Sequence, residues 1–590
     1  MAKRYAYTSC VLLLAFTTLP LSLSMQDDLI VNTSNGKIQG KRLSVLGGDV
    51  GAYLGIPYGK PPLGKLRFRA PEPAERWDGV KDTTKYANSC FQVPDEVFPG
   101  FRGSEMWNPN TEMSEDCLYL NVWTTFNKTS KSSSLAPVLV WIYGGGFSSG
   151  TSSLDMYDGR YLSKAEGVVV VSMNYRVGAL GFLALPDNNN IRGNAGLLDQ
   201  RLALQWVVNN IVAFGGDPSK VTIFGESAGS ASVGFHLLSP GSRGLFQRAV
   251  MQSGSPNAPW AIVSKTVANE RSMMLATLLG CPTSSPTHLD MCLQKSDPGT
   301  ITSKQYEVLK QPSVLTNPFL PLVDGNFLPD EPEVLLQSND LTKKELLIGL
   351  NKDEGTYFLA YGMPGYHITG ESLITRKEFM EGVKIAMADF GSVAKEAAIF
   401  QYTDWTDQNN RMKNRDSFGS LVGDQLFVCP VLEFAQRYSQ YGGKTLLYFF
   451  DHRSSINPWP EWMGAMHGFE IEFIFGMPLD TKLGYTRTEV NMTKRFLKHW
   501  ANFARTGNPG IDGATWPLFT AEHQEYVTLN SNLPETRRMM RAKECYFWNK
   551  LIPRIQKISN ELVCGAANGI TLHYHCKLLL VLLFIRFMFV

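Results

Sequence analysis

The sequence predicts an α/β fold: a large, mixed, mostly parallel sheet covered by helices on both faces. Three observations carry this expectation. The apolar runs Val138-Leu139-Val140-Trp141-Ile142-Tyr143 and Val168 to Val171 lack alternation, as strands covered on both faces do. A helical pattern from about Leu197 to Val212 separates them from the next strand-like run, Val221-Thr222-Ile223-Phe224, and strands alternating with helices imply a parallel sheet. The chain has 590 residues, 44% hydrophobic and 19% charged, an ordinary globular composition with ample length for one large core.

The chain begins with Lys3 and Arg4, then an apolar run from Cys10 to Leu21, then small residues at Ser22-Leu23-Ser24. Residues 1–24 therefore read as a secretory signal peptide. The globular domain is expected over 25–564. Beyond it, Gly565-Ala566-Ala567-Asn568-Gly569 leads through a polar spacer to an apolar tail, Leu578 to Val590. As a helix that tail spans only about 20 Å, short of a ~30 Å hydrocarbon core. Residues 565–590 fit a removable GPI-anchor signal, with Arg586 the one discordant residue.

Within the domain the first buried strand runs into Gly144-Gly145-Gly146, and the second into Ser172-Met173-Asn174. The third is followed at once by Gly225-Glu226-Ser227-Ala228-Gly229. This G-x-S-x-G sequence between a strand and a helix start lifts a serine clear of the sheet edge on a turn that tolerates only glycine on either side. The Ala228 N–H then faces an oxyanion, and the glycine-rich loop at 144–146 occupies the place of the other donors. Two later strands, Leu346-Leu347-Ile348-Gly349 and Thr445 to Phe450, are each followed by a loop.

A serine hydroxyl is a poor nucleophile at neutral pH, so a base and an acid must follow it. The order serine, acid, histidine points to the loops after those two later strands. Asp353 and Glu354 both follow the first strand, and spacing does not choose between them. His452 follows the second directly and His467 lies further along, so both stand as candidates. His236 lies too near the elbow in sequence, and Glu226 is misplaced in order for the acid.

The formal charge of +2 becomes about −2 once Lys3, Arg4, Lys577 and Arg586 are removed, and no basic stripe argues for nucleic acid. Secretion gives meaning to the sequons at Asn32, Asn127 and Asn491. Of nine cysteines, Cys10 and Cys576 leave with the two ends. Seven remain, which suggests three bridges and one odd thiol, Cys564. Cys281 and Cys292 can close a small loop and Cys90 and Cys117 a larger one, leaving Cys429 with Cys545, although sequence alone permits other pairings.

Four motifs together resemble the cholinesterases of the type-B carboxylesterase family, from about Leu29 to Lys557. They are Ser114-Glu115-Asp116-Cys117-Leu118-Tyr119-Leu120-Asn121, the elbow, Asn351-Lys352-Asp353-Glu354-Gly355, and His467-Gly468-Phe469-Glu470. The resemblance implies the α/β-hydrolase fold and a triad of Ser227, Glu354 and His467, with Gly145, Gly146 and Ala228 as the oxyanion hole. It implies the three bridges just paired and Cys564 linking subunits of a homodimer. No cofactor or metal is implied.

The resemblance also assigns substrate contacts. Trp107 and Tyr357 match the aromatic residues that hold choline, and Glu226 adds negative charge; a quaternary ammonium is best met by an aromatic face. The acyl pocket comprises Trp260, Leu315, Asn317 and Phe319. Leu315 and Asn317 stand where acetyl-selective relatives carry phenylalanines, so propionyl or butyryl groups should fit. At the rim Asp95, Tyr306 and Tyr361 form a reduced peripheral site, with Val93 and Ser148 in place of tyrosines and Tyr306 in place of a tryptophan. The implied function is hydrolysis of choline esters, terminating cholinergic signalling at the outer face of the plasma membrane. Two alternatives are a broad carboxylesterase or lipase, against which Trp107, Tyr357 and Asp95 argue, and a catalytically inactive adhesion protein, which would be expected to lack the serine or histidine.

Overall fold

The computed structural model describes residues 29–125, 134–185, 188–309, 315–338 and 343–567, with side chains to Glu561. The expected signal peptide, residues 568–590 of the expected anchor signal, and the Asn127 sequon lie outside these residues.

Eleven strands form the central sheet: β1 (Lys41–Val45), β2 (Gly48–Pro57), β3 (Tyr119–Thr124), β4 (Ala136–Ile142), β5 (Val169–Met173), β6 (Gly216–Glu226), β7 (Arg248–Gln252), β8 (Glu345–Asn351), β9 (Thr445–Phe450), β10 (Glu525–Leu529) and β11 (Glu535–Arg538). Their order across the sheet is 1-2-3-5-4-6-7-8-9-10-11. Strands β5 through β10 pair in parallel, and antiparallel strands finish both edges. Consecutive residues of β4, β5 and β8 are buried. Because successive side chains point to opposite faces, helices must cover both. This is the mixed, doubly covered sheet that the unalternating apolar runs predict.

The helices that bear on the site are α1 (Ala195–Asn210), α2 (Ala228–Leu238), α3 (Lys265–Leu278), α4 (Arg411–Gly423), α5 (Cys429–Gln440), α6 (Arg487–Thr506) and α7 (Ile552–Ala567). Helix α1 begins two residues before Leu197, because Asn194 at φ +57° turns the chain and Ala195 and Gly196 enter the first turn. A π-helical stretch, Asp424–Val428, joins α4 to α5. Nothing in the apolar pattern signals it, and such inserts often lie at functional sites. Helix α6 carries a capping box: Thr486 Oγ1 accepts from Glu489 N, and Glu489 Oε2 accepts from Thr486 N at 2.8 Å. Its Trp500 packs on Tyr448 of β9, and Trp141 of β4 on Phe224 of β6 at 4.8 Å.

Disulfides join Cys90 to Cys117, Cys281 to Cys292 and Cys429 to Cys545. Cys564 lies in α7. The sequon residues Asn32 and Asn491 are both exposed.

Candidate active site

The chemistry gathers at the carboxyl ends of β4, β6, β8 and β9, the edge where a parallel sheet leaves its loops free to carry a site. Strand β6 ends at Glu226, and α2 begins at Ala228. Ser227 between them has φ +56° and ψ −121°, a conformation costly for a residue with a Cβ. Two contacts hold it there. Ser227 N donates to Gln252 O at 2.9 Å, and a side chain on Gly225 would come within 2.6 Å of the Gly229 carbonyl and of Ile142 O. Gly229 is packed against Ile142 O as closely, so neither flanking glycine can carry a side chain.

The glycine loop after β4 lies directly against this turn. A Cβ on Gly144 would stand 2.9 Å from Ser227 Cβ and 2.9 Å from Glu226 Oε2. Gly145 and Gly146 have φ of +103° and +60°, the left-handed region open to glycine. Among the described residues no acceptor takes the N–H of Gly145, Gly146 or Ala228. The loop thus offers backbone donors at the serine, as an oxyanion hole requires.

His467 reaches the elbow from the loop after β9. Its Nδ1 is 2.6 Å from Glu354 Oε2, and Glu354 Oε1 accepts from Asn351 N at 2.7 Å. Its Nε2 is 3.1 Å from Glu226 Oε1, without hydrogen-bond alignment. Phe358 and Phe427 pack on the imidazole with ring centres 5.3 and 4.4 Å away. Phe427 comes from the π-helical stretch between α4 and α5, whose approach is close: a side chain on Gly355 would come within 2.5 Å of Gly423 N. The carboxylate left open against Glu354, Asp353, faces away from the ring. Its Oδ2 accepts from Ala465 N at 2.9 Å. The rival histidine is also elsewhere, since His452 Nε2 contacts Glu489 Oε1 at 3.2 Å.

A buried polar chain backs the site. Trp500 Nε1 donates to Gln252 Oε1 (3.2 Å), Gln252 Nε2 to Glu470 Oε1 (3.0 Å), and Asn351 Nδ2 to Glu470 Oε2 (2.6 Å). The charges of this group shape its titration. Burial pushes the Glu226 carboxyl up to about 8, with His467 opposing and Glu470 and Glu354 reinforcing the rise. Burial also disfavours a charged His467, yet the Glu226 and Glu354 carboxylates outweigh it and hold the ring up at about 9. Glu226 and His467 therefore titrate as a pair.

Trp107 lies on the Glu226 side. A Cβ on Gly468 (φ +81°) would meet Trp107 Cη2 at 3.1 Å and Glu226 Oε1 at 3.5 Å, so the indole ring and a carboxylate converge beside His467. Phe469 stands edge-on to Trp107 at 6.2 Å. Tyr357 OH lies 3.1 Å from Tyr361 OH, which donates to Asp95 Oδ2 at 2.6 Å. Asn108 ties Asp95 to the Trp107 loop through both backbone groups of Asp95. Asp95, Tyr361, Tyr357 and the indole loop thus form one connected wall. Tyr306 is 37% exposed.

On the other side, Trp260 donates to Leu426 O at 2.8 Å and packs on Phe427 at 5.5 Å. Phe319 is buried, and Leu315 and Asn317 are half-buried. The Asn317 amide rests on Gly146. Sequence reasoning missed Phe427, Phe358, Gln252 and Trp500 as neighbours of the site. Gln252 alone carried a signal, standing at the end of a buried strand.

The carboxylesterase family model matches residues 27–548. The chain is 49% identical to an acetylcholinesterase of Bungarus fasciatus over 538 residues, 91% of this chain and 88% of that protein. It is also 49% identical to a cholinesterase of Mus musculus over 540 residues, 91% of this chain and 89% of that protein.

Proposed function

The chain belongs to the carboxylesterase family, and on that premise we propose that it hydrolyses choline esters to choline and a carboxylate through an acyl-serine intermediate. The observation that carries the substrate is the convergence of the Trp107 ring and the Glu226 carboxylate beside His467. A quaternary ammonium has no proton to donate, so an aromatic face with a nearby negative charge is its best partner, worth about 0.5–2 kcal/mol.

His467 Nε2 takes the proton of Ser227 as Oγ attacks the ester carbonyl carbon. Glu354 holds Nδ1–H and stabilises the charged ring. The N–H groups of Gly145, Gly146 and Ala228 receive the oxyanion, and one such donor is worth about 3–4 kcal/mol. Collapse breaks the carbon–oxygen bond, and choline leaves with the proton from Nε2. Water then attacks the acyl-serine, its proton passing to Nε2 and on to Ser227 Oγ as the carboxylate departs. Leu315 and Asn317 leave room for acyl groups larger than acetyl.

Three disulfides suit an oxidising compartment. With the sequence of the two ends they support a secreted, GPI-anchored enzyme joined into dimers through Cys564. Release from cells by a phospholipase specific for phosphatidylinositol tests the anchor; failure favours a plainly secreted form.

The activity test compares acetylthiocholine, butyrylthiocholine and an uncharged thioester, with Ser227→Ala as control. Hydrolysis of the choline esters in preference to the neutral one is expected. Inactive wild-type protein would remove the enzyme reading, and equal rates on charged and neutral esters would remove choline.

A further inference from the structure

The floor of the acyl side carries a polar group that a purely apolar pocket does not need. A Cβ built on Gly146 would overlap Asn317 Nδ2 and lie 3.1 Å from its Cγ and 3.5 Å from Oδ1. The amide therefore turns its NH2 end, not its carbonyl, onto the oxyanion loop.

The backbone that carries it is tied from behind. Arg271 of α3 donates from Nη1 to Asn317 O (3.1 Å) and to Pro318 O (3.0 Å). Pro318 itself restricts the backbone of the residue before it. Among the described residues nothing accepts from Asn317 Nδ2, so this half-buried residue presents a donor without a protein partner. A polar group in an otherwise apolar pocket loses hydrogen bonds to water when an alkyl chain covers it. It recovers them when the chain offers an acceptor.

We propose that Asn317 makes the acyl side of this site selective for acyl groups that bear a hydrogen-bond acceptor a few atoms beyond the ester carbonyl, over alkyl groups of the same size. The proposal rests on the acyl-transfer reading above and names its acyl substrates. Ether, hydroxy and oxo acids of about four heavy atoms are the class that fits. An acyl group held with its carbonyl oxygen at Gly145 and Gly146 directs its chain past the Asn317 amide. An oxygen there accepts from Nδ2, whereas a methylene at that point leaves the donor dry.

The test uses two isosteres, methoxyacetylthiocholine and butyrylthiocholine, which differ by one oxygen in place of a methylene. The quantity read is the ratio of their kcat/KM values, divided by the ratio of their rates with hydroxide to remove intrinsic reactivity. In wild type this corrected ratio should exceed one by roughly three- to tenfold, the range a single net hydrogen bond supplies. Asn317→Leu should bring it to about one or below. A wild-type corrected ratio of one or less overturns the proposal without any variant. So does an Asn317→Leu enzyme that keeps the wild-type ratio. The same pair as S-methyl thioesters separates the two readings. If choline plays no part, the thiocholine and S-methyl esters react at equal rates while the Asn317 effect stands on both pairs; if Asn317 plays no part, the corrected ratio is the same in wild type and Asn317→Leu on both pairs.

Discussion

Glu226 Oε1 stands 3.1 Å from His467 Nε2, the ring nitrogen that must receive the Ser227 proton. The imidazole thus has a carboxylate near each nitrogen, Glu354 hydrogen-bonded at Nδ1 and Glu226 beside Nε2 without hydrogen-bond alignment. In the proposed mechanism Glu354 orients the base, and the Glu226 charge beside Nε2 favours its protonated form.

Glu226→Gln should separate these roles. A base works only when neutral, and the Glu226 charge favours the protonated ring, so its removal lowers the His467 pKa from about 9. The acid limb of kcat/KM should move to lower pH by roughly 1–3 units. KM for choline esters should rise several-fold while that for a neutral ester changes less. Steady-state pH profiles on both esters decide this, and an unmoved limb would refute the influence of Glu226 on the base.

Glu354→Gln should lower kcat by about 10³–10⁴, because the imidazole loses the partner that fixes its tautomer and charge. His452→Gln should leave kcat within a few-fold, since its ring contacts Glu489 and not the elbow. Active-site titration with a serine-directed phosphonylating reagent, beside circular dichroism, distinguishes lost chemistry from lost folding.

Asp353 anchors the segment that carries the base. Its N donates to Ala465 O at 3.0 Å, its Oδ2 accepts from Ala465 N, and burial lifts its carboxyl to about 6. Asp353→Ala leaves the Ala465 N–H without that partner and loosens His467. The expected result is a fall in kcat of about tenfold or more with KM little changed. Asp353→Asn keeps an acceptor and should recover most of the loss. Equal damage by both variants would mean that charge, not the hydrogen bond, matters.

The double variant Leu315→Phe, Asn317→Phe should fill the acyl side and shift preference from butyryl toward acetyl esters. The expected change is about 10-fold or more in relative kcat/KM, the scale of a methylene that no longer fits. A double variant that still favours butyryl would contradict the placement of these two residues beside the acyl chain.

The sheet and the elbow were legible because their signals are local. An unalternating apolar run marks a doubly covered strand, and two glycines bracketing a serine between strand and helix mark a turn. The choice between Asp353 and Glu354 was not local, since adjacent carboxylates at a strand end look alike until the fold shows which faces the ring. The Asp353 tie to Ala465, the seat of Asn317 on Gly146 and the approach of Phe427 to His467 join distant parts of the chain, and no period records them. The π-helical stretch at Asp424–Val428 was invisible for the same reason: one extra residue in a turn leaves the apolar composition unchanged.

The Cys429–Cys545 bridge, which closes over 116 residues, encloses His467 but not Ser227 or Glu354. At ribosomal speeds of about 5–20 residues per second, roughly 6–23 s pass between the emergence of the two cysteines. During that interval the nucleophile and its acid exist while the frame around the base is still open. A chain broken off before Cys545 carries every side chain of the proposed triad yet cannot seal this frame. Hydrolysis by such a fragment, compared with that of the whole chain, would report how far the last cross-link serves as a completeness check on the nascent enzyme.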